Sequence, residues 1–387
     1  MLFVTFLVMN PISFNMNIAL VGKNGKLFVA LLGIIIFRKS LAHINKFLIK
    51  NIWLILFWVL CLVFSIFRIW KKGFDVDLIQ INILFIVFIY FFYLLASEYR
   101  IRYRRSNLYF FKHLAQAINI NLIFWTAIAF LFSVSFWSSV EDRTGLSLFY
   151  DSYIQLGMFA CIGAISNFYM IRYKKVKHRI VYFIMFVLYA VCIYLSNSRN
   201  AQLIIFVFLL FNILPFLKRI TLKYIFILTI SLSIVSIFYF SADILENESL
   251  IEFSSGRSSI WYYIYEYYTD NSIFLGEGIF GLNSTILENN MDFNYYFQGI
   301  DFLYFHSSYI EVFCASGILG FIFFMIFIVK SLKSKAKFYT AIIIISLLVG
   351  GLSESFLVQP SMLMSFLFWY LTVQEINLKI SKRFVNE

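Results

Sequence analysis

Charge is scarce in this chain. Asp, Glu, Lys and Arg make up 13% of its 387 residues and hydrophobic residues make up 61%, whereas soluble domains carry roughly a quarter of charged residues. The shortage excludes an ordinary soluble fold and leaves a polytopic membrane protein. Only three prolines are present, so there is no Pro-rich linker, and no internal repeat or low-complexity tail divides the chain. Four cysteines (Cys61, Cys161, Cys192, Cys314) fall in or beside apolar segments. No two share a loop, so a disulfide framework is not expected and packing is their role. Histidine is as rare. His43, His113 and His178 fall in basic connections, where a solvated role is expected, which leaves His306.

Long apolar runs fill the remainder, at roughly 2–20, 26–42, 52–68, 78–97, 117–137, 149–171, 180–195, 200–217, 222–240, 307–329, 338–352 and 356–374. Each is long enough to approach a membrane span. The expected fold is therefore all-α, a multi-pass protein of about twelve transmembrane helices. Met1 to Leu20 has neither a charged n-region nor a small-residue cleavage site, and reads as a retained helix. An eleven-helix version without that first span is the alternative. Basic residues set the orientation. With both termini in the cytoplasm, the inner connections hold 24 of the 32 Lys and Arg and the outer ones hold eight, as the positive-inside rule requires. That rule accounts for the net charge of +12 without nucleic acid as a partner.

One outer connection, 241–305, is far longer than the others. It separates helices one to nine (1–240) from the last three and the tail (306–387), and a connection of that length implies function. Ten of the twenty acids lie in it, with Arg257 as its only Lys or Arg. Within it, Ser258 to Tyr268 reads as a short amphipathic helix, and Trp261 either anchors it at the membrane interface or stacks on sugar rings. Gly276-Glu277-Gly278 reads as a tight turn. After the loop comes Phe305-His306-Ser307-Ser308-Tyr309-Ile310-Glu311, then Gly317 and Gly320. Ser308-x-x-Glu311 predicts a capping box and a helix starting near Ser308. The two glycines would let a neighbouring helix approach closely. His306 would stand at the helix mouth, where the dipole disfavours its charged form and suits a neutral general base. Without further pattern, a lone His is a structural residue. Charged groups gather at the outer helix ends, at Asp151, Arg199, Glu311 and Glu354, rather than at mid-span. That placement favours a reaction site over a conduction path, with an interfacial resting place as the competing explanation.

Three segments carry a family resemblance. They are Ser196-Asn197-Ser198-Arg199, then Gly256-Arg257 with Trp261 and Gly276-x-Gly278, then His306-Ser307 followed by Gly317 and Gly320. Together they resemble the O-antigen polymerase and O-antigen ligase superfamily of membrane glycosyltransferases. The resemblance implies a bacterial inner-membrane enzyme acting on an undecaprenyl-pyrophosphate-linked oligosaccharide, with membrane lipids and possible chain-length regulators as further partners. It implies His306 as the base and Arg199 and Arg257 as ligands of the donor pyrophosphate. A planar, permanently charged guanidinium suits phosphate oxygens, and two of them can stabilise a leaving pyrophosphate without a metal or other cofactor. A metal site from Asp292, Asp301 and Glu311 is the alternative. Glu311 reads as a capping residue or a partner of His306, and Glu354 as a partner of Arg199. Both, with Trp261, complete the candidate substrate site. Within the superfamily the polymerase reading is preferred to the ligase; a lipid-linked oligosaccharide flippase and a non-catalytic scaffold are the rivals from other classes.

Overall fold

Inside a bilayer every backbone N–H and C=O must find its partner within the protein, and apolar runs meet that demand as helices. A computed structural model describes residues 23–36, 44–72, 76–103, 106–133, 135–140, 143–148, 150, 152–173, 178–213, 257–290, 303–333, 338–359 and 362–376. The helices, in chain order, are α1 (Lys23–Ile36), α2 (Ile44–Lys50), α3 (Ile52–Lys72), α4 (Val76–Arg102), α5 (Ser106–Leu131), α6 (Tyr153–Arg172), α7 (Arg179–Leu195), α8 (Arg199–Ile213), α9 (Arg257–Asp270), α10 (Gly281–Asn290), α11 (Ser308–Lys333), α12 (Phe338–Gly350) and α13 (Leu363–Ile376). Five of them contain stretches long and apolar enough to cross a membrane: Ile52–Lys71, Leu78–Arg100, Ser106–Leu131, Tyr153–Arg172 and Ser308–Leu332. The stretches Arg179–Leu195, Arg199–Ile213, Tyr339–Gly350 and Leu363–Val373 are apolar but shorter. The spans expected at 2–20 and 222–240 lie outside the described residues.

The expectation of a purely helical chain needs one correction. Trp137–Val140 (β1) and Arg143–Leu146 (β2) pair as an antiparallel hairpin, with Trp137 opposite Leu146. The span expected at 117–137 is in fact α5, which starts eleven residues earlier because Phe110, Phe111, Leu114 and Ala115 are buried core residues. His113 therefore lies within a helix and not in a solvated loop, its Nδ1 2.7 Å from the Tyr99 hydroxyl. The last span also starts later than expected. Residues 351–359 form a turn-rich segment ahead of α13, so Glu354 sits in that segment and not at a helix start.

α13 runs through the middle of the bundle. Every residue from Leu363 to Val373 is buried, as expected of a helix apolar on all sides and surrounded by others. Trp369 packs its ring against Phe85 of α4 and Phe324 and Phe327 of α11. Tyr370 stacks on Phe110 of α5, with ring centroids 3.6 Å apart. The outer face differs. Along α7, Ile180, Phe183, Ile184, Val187 and Val191 are all exposed, forming an apolar stripe of the kind lipid covers.

α11 is broken at Gly317, whose φ of 63° and ψ of −175° are not helical. A break frees backbone groups that need partners. The segment 273–278 supplies them: Glu277 N–H donates to Cys314 O at 2.9 Å, Gly278 N–H to Ala315 O at 3.0 Å, and Ile318 N–H to Ile273 O at 3.0 Å. A Cβ at Gly317 would lie 2.4 Å from Phe274 O. The close neighbour of Gly317 is thus loop backbone, correcting the expected helix, while Gly320 faces Leu60 of α3. Gly276–Gly278 correspondingly lies along α11 as a docking strand, with Gly278 at φ 79°, and is more than the expected tight turn.

Candidate functional site

Three of the helices that begin at one end of the bundle begin at a basic residue or beside one. α8 opens with Arg199 and α9 with Arg257, and His306 stands two residues before α11. The turn at 350–355 lies among them. Ser308 N–H donates to Gly351 O at 2.7 Å and to Glu354 O at 3.1 Å. The Ser308 hydroxyl donates to Glu354 O at 2.6 Å and accepts from Phe356 N–H and Leu357 N–H. Ser307 N–H donates to the Ser355 hydroxyl at 3.1 Å. On the other side of the turn, a Cβ at Gly350 would lie 3.2 Å from Asn200 Oδ1, so the start of α8 abuts the same segment.

Glu354 joins two of the candidate residues. Its Oε1 lies 3.2 Å from Arg257 Nη2 and its Oε2 lies 3.8 Å from His306 Nδ1. The first contact is a charge-assisted hydrogen bond; the second is too long for a hydrogen bond. The expected partner of Glu354 was Arg199, but Arg257 takes that place, because α9 lies across the mouth of α11. Arg199 itself is exposed, and it forms no ion pair among the described residues. His306 is half-buried, in a left-handed backbone conformation with φ 52°. Trp261 is held by its indole N–H, which donates to Phe305 O at 2.8 Å. That bond ties α9 to the residue preceding His306.

The helix starts at Ser308 as the sequence predicts, but the capping box does not form. Glu311 N–H bonds to Ser307 O, and the Glu311 carboxylate turns away from the helix start. It accepts from Phe305 N–H at 3.0 Å and from Asn283 Nδ2 at 3.1 Å, and Asn283 also donates to Leu303 O. A buried carboxylate needs such donors, and here they fix the strand that carries His306. The carboxylate therefore positions this strand and does not pair with the imidazole. Of the alternative metal set, Asp292 and Asp301 lie outside the described residues.

Sequence reasoning missed two polar groups at this end. Asn200 is 6% exposed, and among the described residues neither its side-chain nitrogen nor its oxygen has a hydrogen-bond partner; nor do the Ser353 hydroxyl and His306 Nδ1. Buried polar groups without protein partners are uncommon. Their only signal in the sequence was adjacency, Asn200 to Arg199 and Ser353 to Glu354. Arg68 was also missed, assigned only to an outer connection. It is 7% exposed and bonds Glu277 at 2.9 Å and Ser284 at 3.0 Å, which clamps the end of α3 to the segment leading into α10.

Residues 184–325 match the family model described as O-antigen ligase. The match supports the O-antigen polymerase and ligase superfamily. The matched segment contains Arg199, Arg257, Trp261, His306 and Glu311, and Glu354 lies beyond it. The family match and the apolar helices together support a membrane protein. Comparison with curated proteins and with solved structures gave no match.

Proposed function

We propose that this chain is a membrane glycosyltransferase that polymerises undecaprenyl-pyrophosphate-linked oligosaccharide units into O-antigen or a related surface polysaccharide, at the outer face of the bacterial inner membrane. The observation that carries this reading is the convergence of three helix N-termini, with Arg199, Arg257 and His306, on the turn holding Glu354. Helix N-termini carry partial positive charge, and Arg199 adds a full charge beside the Arg257–Glu354 pair. Such a site suits a pyrophosphate.

In the proposed reaction an acceptor hydroxyl attacks the anomeric carbon of the donor sugar. The bond from that carbon to the pyrophosphate oxygen breaks, and undecaprenyl pyrophosphate leaves with the bonding electrons. Arg199 and Arg257 stabilise the charge it gains. His306 takes the hydroxyl proton on Nε2, while Glu354, 3.8 Å from Nδ1, stabilises the charge the ring gains. One displacement inverts the anomeric centre. Asn200 Nδ2 and the Ser353 hydroxyl donate to oxygens of the donor. The segment 241–305 lies outside the cytoplasm and holds the glycans, with Trp261 beside the reacting sugars.

The ligase reading is favoured by the description of the matched family. The polymerase is preferred because an aromatic-rich, acidic loop can hold two similar glycan chains, and because a composition rich in Phe, Ile, Asn, Lys and Tyr suits a strain-specific glycan cluster. Deletion separates the two. Loss of a polymerase leaves surface lipid bearing at most one repeat unit. Loss of a ligase leaves the core without repeats while long chains accumulate on undecaprenyl pyrophosphate, and that outcome would overturn the preferred reading. Unpolymerised units retained on the cytoplasmic face would instead support a flippase.

A further inference from the structure

A cavity of about 520 Å³ lies between the end of α3 and the outer part of α9. Its size falls within the range of small-molecule sites. Four of its lining residues, Tyr263, Glu266, Tyr267 and Asp270, recur at the spacing that forms one stripe on a helix. Ile260 and Ile264, on a different face of α9, are buried in the small core beneath it. The stripe is therefore presented to the cavity.

The floor is electrically closed. Arg68 is paired with Glu277, and the Tyr267 hydroxyl donates to the second oxygen of that carboxylate at 2.5 Å. Burial, reinforced by the bond to Glu277, raises the Tyr267 phenol above its ordinary value, so it remains a donor at neutral pH. On the walls, Glu266 and Asp270 are exposed carboxylates. Lys71 also lines the cavity, its ammonium 4.8 Å above the Phe67 ring. With the floor neutralised, two acids outweigh one base. A phosphate or an acidic sugar would meet net repulsion here. Carboxylates that accept from hydroxyls, beside tyrosine rings that pack on C–H faces, suit an uncharged sugar.

α9 connects this cavity to the reaction centre. Arg257, at its first turn, bonds Glu354, and the cavity stripe begins six residues further along. From Arg257 to Tyr267 the helix advances about 15 Å, a reach of a few sugar rings. We infer that the cavity between α3 and α9 is a second saccharide site, which holds uncharged sugars of the glycan away from the bond being made. This inference rests on the glycosyltransferase reading and adds a subsite to it.

The test uses the full chain in detergent and two probes. One is the repeat oligosaccharide released by mild acid from the polysaccharide of the producing strain; the other is inorganic pyrophosphate. Replacing Glu266→Ala with Asp270→Ala is expected to raise the Kd for the oligosaccharide at least tenfold and to leave pyrophosphate binding unchanged. If that pair fails to insert, Glu266→Gln with Asp270→Asn keeps the shape and should still weaken the oligosaccharide. Wild-type oligosaccharide affinity in a folded variant, or no binding by the wild-type protein, overturns the proposal. Displacement of the oligosaccharide by pyrophosphate overturns it too, because the two sites would then be one. The enzymatic reading fails separately, if a well-expressed His306→Ala protein still makes polymer.

Discussion

Asn200 brings a donor and an acceptor into the protein interior, and neither finds a partner among the described residues. Leaving such a group unpaired costs about 1–3 kcal/mol, so a purely structural Asn would be a poor choice beside Arg199. If its partner is the donor lipid, stability and function should move in opposite directions on substitution. Asn200→Ala is expected to keep or raise the thermal midpoint of the substrate-free protein. The KM for the lipid-linked donor should rise roughly tenfold to a hundredfold, the worth of one hydrogen bond to a charged group. A lower midpoint with unchanged KM would return Asn200 to a packing role. His306 is a different case, because its proposed work is in the chemical step. His306→Ala should insert normally and lose about 10²–10⁴-fold in rate, measured as polymer formed by purified protein. Normal turnover would remove it as the base.

At the scale of elements, the break in α11 decides how the outer segments meet the bundle. The strand 273–278 docks there by backbone hydrogen bonds, and it leads from α9 to α10. Arg68 holds the far side of that strand through Glu277. Gly317→Ala would force an L-residue into a positive-φ, extended-ψ conformation that essentially only glycine adopts, at about 1–3 kcal/mol. It would also press a Cβ against Phe274 O. The expected result is a lower thermal midpoint and faster proteolysis within 257–290; a variant as stable as wild type would show that the strand docks by other means. The glycine was visible in the sequence, but its neighbour was not. Periodicity finds the face of a helix; it does not tell which segment approaches that face. The same limit applies to Glu311. Its spacing from Ser308 fits a capping box, yet the burial of Asn283 and Phe305 beside it gave its carboxylate other donors.

The whole molecule has two chemically distinct ends. At one end lie His306, Arg257, Arg199 and Glu354. At the other, Arg172 bonds Asn212 at 3.0 Å and sits 4.7 Å over the Tyr339 ring, and Asn107 reaches Thr340 at 3.3 Å. Those contacts gather the ends of α6 and α8 with the starts of α5 and α12. We propose that this side is cytoplasmic, because the sequence places the Lys- and Arg-rich connections 98–116, 172–179 and 330–337 beside these helix ends. A reporter active only outside the cytoplasm should work when fused near Asn290 and fail near Lys175 and Lys335. The reverse pattern would put His306 in the cytoplasm and remove the proposed reaction.

Hydropathy by itself determined that the chain is a helical membrane protein, because burying an unpaired backbone in lipid costs too much for any other use of such apolar runs. Local residue patterns also marked the short aromatic helix that became α9 and the helix start at Ser308, while Arg199, Arg257 and His306 were singled out by the family resemblance and stand as proposals. These signals are carried by residues adjacent in sequence. The hairpin at 137–146, the pairing of Glu354 with Arg257, the clamp between Arg68 and Glu277 and the unpaired amide of Asn200 were decided by tertiary structure alone. Arg68 and Glu277 are 209 residues apart, and Arg257 and Glu354 are 97 apart. Which carboxylate meets which guanidinium depends on how helices cross, and a hydropathy pattern records the depth of a residue but not its neighbour.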